Sequence, residues 1–94
     1  MRPIVVTQTG VGTTNTIRVD YRQSDFKIGI GCAVSGTVNY SLEHSFDGTT
    51  WYVNDDIATL TTQDDTNYAF PIWAVRLVVH SGTGSATMTL LQGS

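Results

Sequence analysis

Apolar and polar residues alternate with period two along most of this chain. The clearest case lies in residues 37–53, TVNYSLEHSFDGTTWYV. Val38, Tyr40, Leu42, His44 and Phe46 share one parity, and Asn39, Ser41, Glu43 and Ser45 the other. Successive side chains of a strand point to opposite faces, so the spacing predicts a strand with one buried and one wet face. Asp47-Gly48 is a turn signal, after which Thr50, Trp51, Tyr52 and Val53 resume an extended pattern. The stretch reads as a long strand, a short loop and a returning strand. On this reading Asp47-Gly48 sets the register and Trp51 anchors the core.

Residues 26–34 alternate as cleanly. Phe26, Ile28, Ile30, Cys32 and Val34 face one side, and Lys27, Gly29, Gly31 and Ala33 the other. Glycine inside a strand weakens it unless something packs closely there. A bulge, or a bend under a neighbouring side chain, is the expected explanation; close approach of another subunit's backbone is the sharper one. Residues 68–80 form a further strong segment. After Pro71, one parity holds Trp73, Val75, Leu77 and Val79, and the other holds Ile72, Ala74, Arg76, Val78 and His80. Both are mostly apolar, which predicts a central strand covered on both sides, or one lying at an interface. Ser81-Gly82-Thr83-Gly84 reads as a hairpin loop, with residues 85–92 as its return strand.

The remaining segments are weaker. Residues 4–8 and 15–21 predict short strands, and residues 9–14, TGVGTT, a turn or mobile loop. Gln23-Ser24-Asp25 is a connection, residues 54–67 an irregular acidic loop, and Gly93-Ser94 a frayed end. No window repeats its apolar residues at helical spacing. The expected fold is one all-β domain over residues 1–94 with no significant helix. It is an antiparallel β-sandwich of jelly-roll or Ig-like type, or a small barrel, of about seven or eight strands.

Composition narrows the function classes. Charged residues are 14% of the chain, against about 25% in an average soluble domain. Thr, Ser, Gly, Asn and Gln must therefore cover much of the surface, which suits contact with other proteins because interface centres are poor in charge. The net charge is −3, and Arg2, Arg18, Arg22, Lys27 and Arg76 are scattered. Nucleic-acid binding needs a clustered basic footprint, so no nucleic-acid partner is expected. The single cysteine, Cys32, cannot form an internal disulfide and reads as a small core residue. The apolar run after Met1-Arg2-Pro3 is too short for a signal peptide, and no membrane-length apolar span exists. Synthesis in the cytoplasm without membrane insertion is the expectation. The sequon Asn39-Tyr40-Ser41 lies inside a predicted strand and is read as chance.

No motif carries catalysis. The pairs Asp55-Asp56 and Asp64-Asp65 do not match a calcium loop, and nothing sets them as glycosidase carboxylates. TGVGTT lacks the GK[ST] of a phosphate loop, and no GxSxG elbow exists. His44 and His80, the only histidines, read as satisfied core or edge residues rather than metal ligands. Trp51, Tyr52, Tyr68, Phe70 and Trp73 could form a sugar-stacking platform, but two tryptophans in strong strands read first as core. No enzyme activity, cofactor or metal is expected. The candidate contact surfaces are the bare face at Gly29 and Gly31 and the second face of the 72–80 strand, at Ile72, Arg76, Val78 and His80. The 9–14 and 54–67 loops are candidate adaptable arms.

Two segments carry resemblances. YSLEHSFDGTTW, residues 40–51, resembles a hairpin of many β-sandwich modules, discoidin-like domains among them, in which the Trp packs in the core. VRLVVHSGTGSATMTLLQ, residues 75–92, resembles the closing hairpin of small all-β virion structural proteins of tailed bacteriophages. The second resemblance implies a decoration (cement) protein, or a neck or tail accessory protein, located in the virion. Its partners would be the major capsid protein or other virion proteins, together with further copies of itself, a trimer being favoured.

Overall fold

The computed structural model describes residues 3–22 and 26–92; the 23–25 connection, Arg2 and the 93–94 end lie outside them. Its strands are β1 (Ile4–Thr9), β2 (Gly12–Thr13), β3 (Ile17–Arg18), β4 (Ile28–Ser35) and β5 (Val38–Ser45). They continue with β6 (Trp51–Val53), β7 (Asp64–Tyr68), β8 (Ala74–Gly82) and β9 (Ser85–Gln92). One sheet has the order β1-β9-β4-β7; the other runs β2-β8-β5-β6, with β3 also on β8. All pairings are antiparallel.

β2 and β3 are two pieces of one interrupted strand. Both pair with β8, and between them Thr14 takes over from the ladder: its N–H donates to the Leu77 carbonyl (3.0 Å), and its Oγ1 accepts from the Leu77 N–H (3.0 Å). Counted so, the described residues form eight strands that cross repeatedly between two four-stranded sheets, the jelly-roll arrangement. The expected antiparallel sandwich without helix is the observed fold among the described residues.

The two inner faces supply the core, as expected for sheets packed face to face. Ile28, Ile30 and Cys32 of β4 and Ala86, Met88 and Leu90 of β9 face Tyr40 and Leu42 of β5 and Val75, Leu77 and Val79 of β8. Each set keeps the predicted parity.

Four expectations fail. Trp51 and Trp73 are only half-buried, and the core centres on Tyr40, Tyr68, Leu42 and Leu77 instead. Trp51 pairs with Ser45, and that register turns it outward. Ile72 is 1% exposed; it precedes β8 and belongs to the core, so it is not a contact residue. Phe46 lies beyond the end of β5 and is 52% exposed, so the strand's inward parity no longer governs it.

The two arms are also built into the sheets. Thr9 pairs with Ser85 in β1, and Gly12 with Val79 in β2, so residues 9–14 are a tight corner between sheets. In the 54–67 segment, Ile57 is fully buried, its carbonyl accepts from the Leu42 N–H (2.9 Å), and Leu60 exchanges two hydrogen bonds with Tyr40. Residues 54–60 thus continue the edge of β5 where β6 stops. Asp64-Asp65 begins β7 rather than lying in a loop.

Candidate interaction surfaces

The sandwich places the remaining predicted contact residues on opposite outer faces. Gly29 and Gly31 lie on the outer face of the β1-β9-β4-β7 sheet. Arg76, Val78 and His80 lie on the outer face of the β2-β8-β5-β6 sheet. The five do not form one site.

The Arg76 face is occupied by its own side chains. Arg76 forms a salt bridge with Glu43, its cross-strand neighbour, at 2.8 Å, and its guanidinium stacks 4.1 Å above the Trp51 ring. His80 sits where the β5–β8 register slips by one residue between Asn39 and Tyr40. A bulge of this kind re-aims a side chain, and here the His80 Nε2 lies 2.9 Å from the Ser41 Oγ. The same Oγ accepts the Thr59 N–H (2.9 Å), which ties the 54–60 segment across this face. Val78 is half-buried between these groups.

The Gly29 face is open. β4 pairs with β9 from Ile28↔Gln92 to Ser35↔Ser85 without a break, so no bulge explains the glycines. A Cβ built on Gly31 would meet nothing within 4 Å, and one on Gly29 only the Leu91 carbonyl at 3.9 Å. No neighbouring side chain covers them either, which corrects the expected bulge or covered bend. They floor a shallow groove of ≈ 740 Å³ between the side chains of β7 and β9, with Lys27, Asp65 and Leu91 on its walls.

A third surface was legible in part: Tyr52, Tyr68 and Phe70 belong to the aromatic set read from the sequence, whereas Phe46 and His44 do not. Where β6 and β7 leave the sandwich open, Phe46, Tyr52 and Phe70 stand about half-exposed around His44. The His44 Nδ1 lies 2.9 Å from the hydroxyl of buried Tyr68. Burial holds the His44 pKa below its usual value, against the opposing field of Asp55. Phe46, Tyr68 and Phe70 meet the imidazole edge to face, and Tyr52 stacks on it, the two arrangements aromatic pairs prefer. The available signal was the aromatic content of the two segments that flank this opening.

Among the described residues no three His, Cys, Asp or Glu side chains come together as metal ligands. Cys32 is buried, and burial pushes its thiol up to about 12, so the reactive thiolate is suppressed. Among the described residues, no helix is long and apolar enough to cross a membrane.

The chain matches no protein-family model and no curated protein. Among solved structures it is similar to a protein of Bacillus endospore appendages, which form a novel family of disulfide-linked pili. The TM-score is 0.57 with 16% sequence identity, over 95% of this chain and 82% of that one. At that identity the likeness speaks for a shared fold.

Proposed function

We propose that this chain is a non-enzymatic structural protein that self-associates and is built into a larger protein assembly. The open edge of β1 carries the reading. β1, IVVTQT, has six residues without a charge, a proline or a bulge, and it pairs only with β9 among the described strands. Proteins that stay monomeric usually guard such edges with Lys, Pro or a bulge, because unpaired strand groups recruit other chains. The charge-poor surface and the open Gly29 face support the same reading. So does the fold shared with a pilus-forming protein, although a buried Cys32 makes assembly of this chain non-covalent.

Within that class, a tailed-phage virion is the specific assembly we propose, on the strength of the 75–92 hairpin resemblance. A decoration protein that bridges neighbouring capsid subunits binds the assembled shell and not free subunits, and so stabilises the shell by mass action. Mass spectrometry of purified particles, with copy number per particle, tests both levels. Hundreds of copies would support decoration, and a dozen or fewer a neck or tail position. A protein confined to the soluble pool and missing from every assembled fraction would end the proposal.

Sugar binding is a second reading, now resting on Phe46, Tyr52 and Phe70. Trp51 and Trp73 are poor platforms, since Arg76 and Arg18 already cover a ring face of each. Unchanged Tyr fluorescence across a panel of sugars and an empty glycan array would remove it.

A further inference from the structure

We infer that β1 pairs with β1 of a second copy of this chain, antiparallel and edge to edge, about a two-fold axis at Val6. The pairing joins two β1-β9-β4-β7 sheets into one continuous sheet. The inference rests on the self-association proposed above and specifies its edge and register.

The first argument is which backbone groups are free. The Gly10 N–H donates to the Gly84 carbonyl (2.9 Å), one step beyond the Thr9↔Ser85 pair. The N–H and C=O of one strand residue point the same way, and the direction alternates along the strand. Ile4, Val6 and Gln8 therefore bond β9, whereas Val5, Thr7 and Thr9 aim their groups at the open edge. The Thr7–Thr87 hydroxyl contact (2.9 Å) agrees, since side chains approach most closely at pairs that do not bond each other. Among the described residues, neither Val5 nor Thr7 has a partner for its N–H or its carbonyl.

The second argument is register. Setting Val5 opposite the partner's Thr7 satisfies the N–H and carbonyl of both residues, and the two-fold axis repeats the pair. Pro3 then lies opposite the partner's Thr9. Pro3 has no N–H, and the Thr9 carbonyl already accepts from the Gln8 amide (3.3 Å). What remains is the Thr9 N–H and the Pro3 carbonyl, a donor and an acceptor that answer each other. Sliding the copy one pairing in one direction sets Pro3 against Thr7 and leaves the Thr7 carbonyl without a donor. Sliding it the other way sets the Val5 N–H against the occupied Thr9 carbonyl. On the inward parity, the axis brings Val6 against the partner's Val6. Ile4 and Val6 are only partly buried at the margin of the core, so the pairing completes their burial.

The third argument is the other edges. β7 carries Asp64 and Asp65, whose like charges oppose pairing with a copy. β6 is three residues long, and the β2–β3 edge is broken at Thr14. Short or interrupted edges pair poorly. The β1 edge instead matches its own copy at both ends. The contact uses up β1 in both copies, so it closes at a dimer and does not grow into a filament. Six residues a side make a small contact, which places the dimer among weak, transient interfaces.

Sedimentation equilibrium up to about 1 mM protein is the test. Wild type is expected to show a monomer–dimer equilibrium. Thr7→Pro removes an outward N–H and leaves the β1–β9 ladder whole. Each dimer loses that bond twice, so Kd should rise about tenfold or more while the Tm stays near that of wild type. Val5→Lys should also raise Kd, and it stands even if Thr7→Pro folds poorly. Val5 is 58% exposed, and two lysines there would face each other on a diagonal about 7–8 Å long across the axis. Disulfide trapping in a Cys32→Ala background reads the register. Val5→Cys mixed with Thr7→Cys should cross-link as a heterodimer, with Cα atoms about 5.5 Å apart. Either variant cross-linking chiefly with itself overturns the register. Dimers unaffected by Thr7→Pro and Val5→Lys overturn edge pairing, although self-association survives. A wild type that is monomeric throughout overturns the inference. If it nevertheless enters particles and Thr7→Pro does not, β1 serves a different protein, and membership of an assembly still stands.

Discussion

The side-chain amide of Gln92 brackets the backbone of Asp20. Its Oε1 accepts from the Asp20 N–H (3.1 Å), and its Nε2 donates to the Asp20 carbonyl (2.9 Å). Gln92 is 4% exposed at the end of β9, whereas Asp20 follows β3 in the opposite sheet. One side chain therefore performs the pairing that a strand neighbour would, and it stitches the two sheets at one end of the sandwich. Gln92→Leu keeps the volume but orphans both backbone groups. An unsatisfied polar group in such a place costs about 1–3 kcal/mol. We expect the unfolding free energy to drop by that amount, with an unchanged denaturant slope; a neutral result would mean that water replaces the amide.

Sequence parity and structure agree where both neighbours of a strand are themselves in a sheet. Ile28, Ile30 and Cys32, and Val75, Leu77 and Val79, all point where period two puts them. Agreement is lost where the ladder ends. Trp51 turns outward because a five-residue loop, not a two-residue turn, sets the register after Ser45. A one-residue change in register flips every side chain to the other face. Ile57 and Leu60 stood out only as apolar residues among acids, and no local pattern says that their backbones would pair with Leu42 and Tyr40. The open groove was half-legible. Gly29 and Gly31 marked it, but whether a neighbour covers them depends on contacts distant in sequence.

Gly48 and Asp47 build the loop between β5 and β6 together. Gly48 has φ +83, in the left-handed region, and a Cβ there would lie 2.5 Å from the Trp73 ring. Gly48→Ala therefore meets both backbone strain and a clash, and we expect a loss of about 1–3 kcal/mol in denaturant unfolding. Asp47 Oδ1 accepts the N–H groups of Thr49 (2.8 Å) and Thr50 (2.9 Å). Those bonds, led by Thr50, hold its carboxyl below the usual value of 3.8. A depressed carboxylate pKa contributes stability above the unfolded value and loses it as pH falls through the folded one. Tm should therefore decline more steeply below about pH 4 in wild type than in Asp47→Asn, which keeps the acceptor and cannot titrate. Parallel Tm curves for the two proteins would contradict this.

His44 makes a separate prediction in a higher window. Its pKa is lowered chiefly by burial beside Tyr68, so the unfolded chain binds a proton before the folded one does. The folded state is then fully favoured above the unfolded value of 6.5. It loses stability as pH falls from there through the lower folded pKa. His44→Gln should flatten the Tm profile over that range. Direct titration of the imidazole by NMR should place its midpoint below 6.5; a midpoint above it would mean that Asp55 outweighs burial.

Cys32 connects packing to assembly. Its side chain is 4% exposed and packs in the core between the sheets, and burial followed by the field of Asp64 raises its pKa to about 12. A thiol so placed reacts only when the sandwich opens, because the nucleophile is the thiolate and the route to it runs through the core. Thiol-specific reagents should leave Cys32 unmodified in the native protein and label it stoichiometrically in denaturant. Cys32→Ser puts a hydroxyl where no partner awaits it and should cost about 1–3 kcal/mol. Cys32→Ala should cost less. Assembly should be indifferent to reductant, and Cys32→Ala should assemble like wild type. If reductant dissolves the assembled form, subunits are cross-linked through Cys32. The thiol would then have to leave the core during assembly, and both the packed β4 and the non-covalent reading of assembly would be wrong for the assembled state.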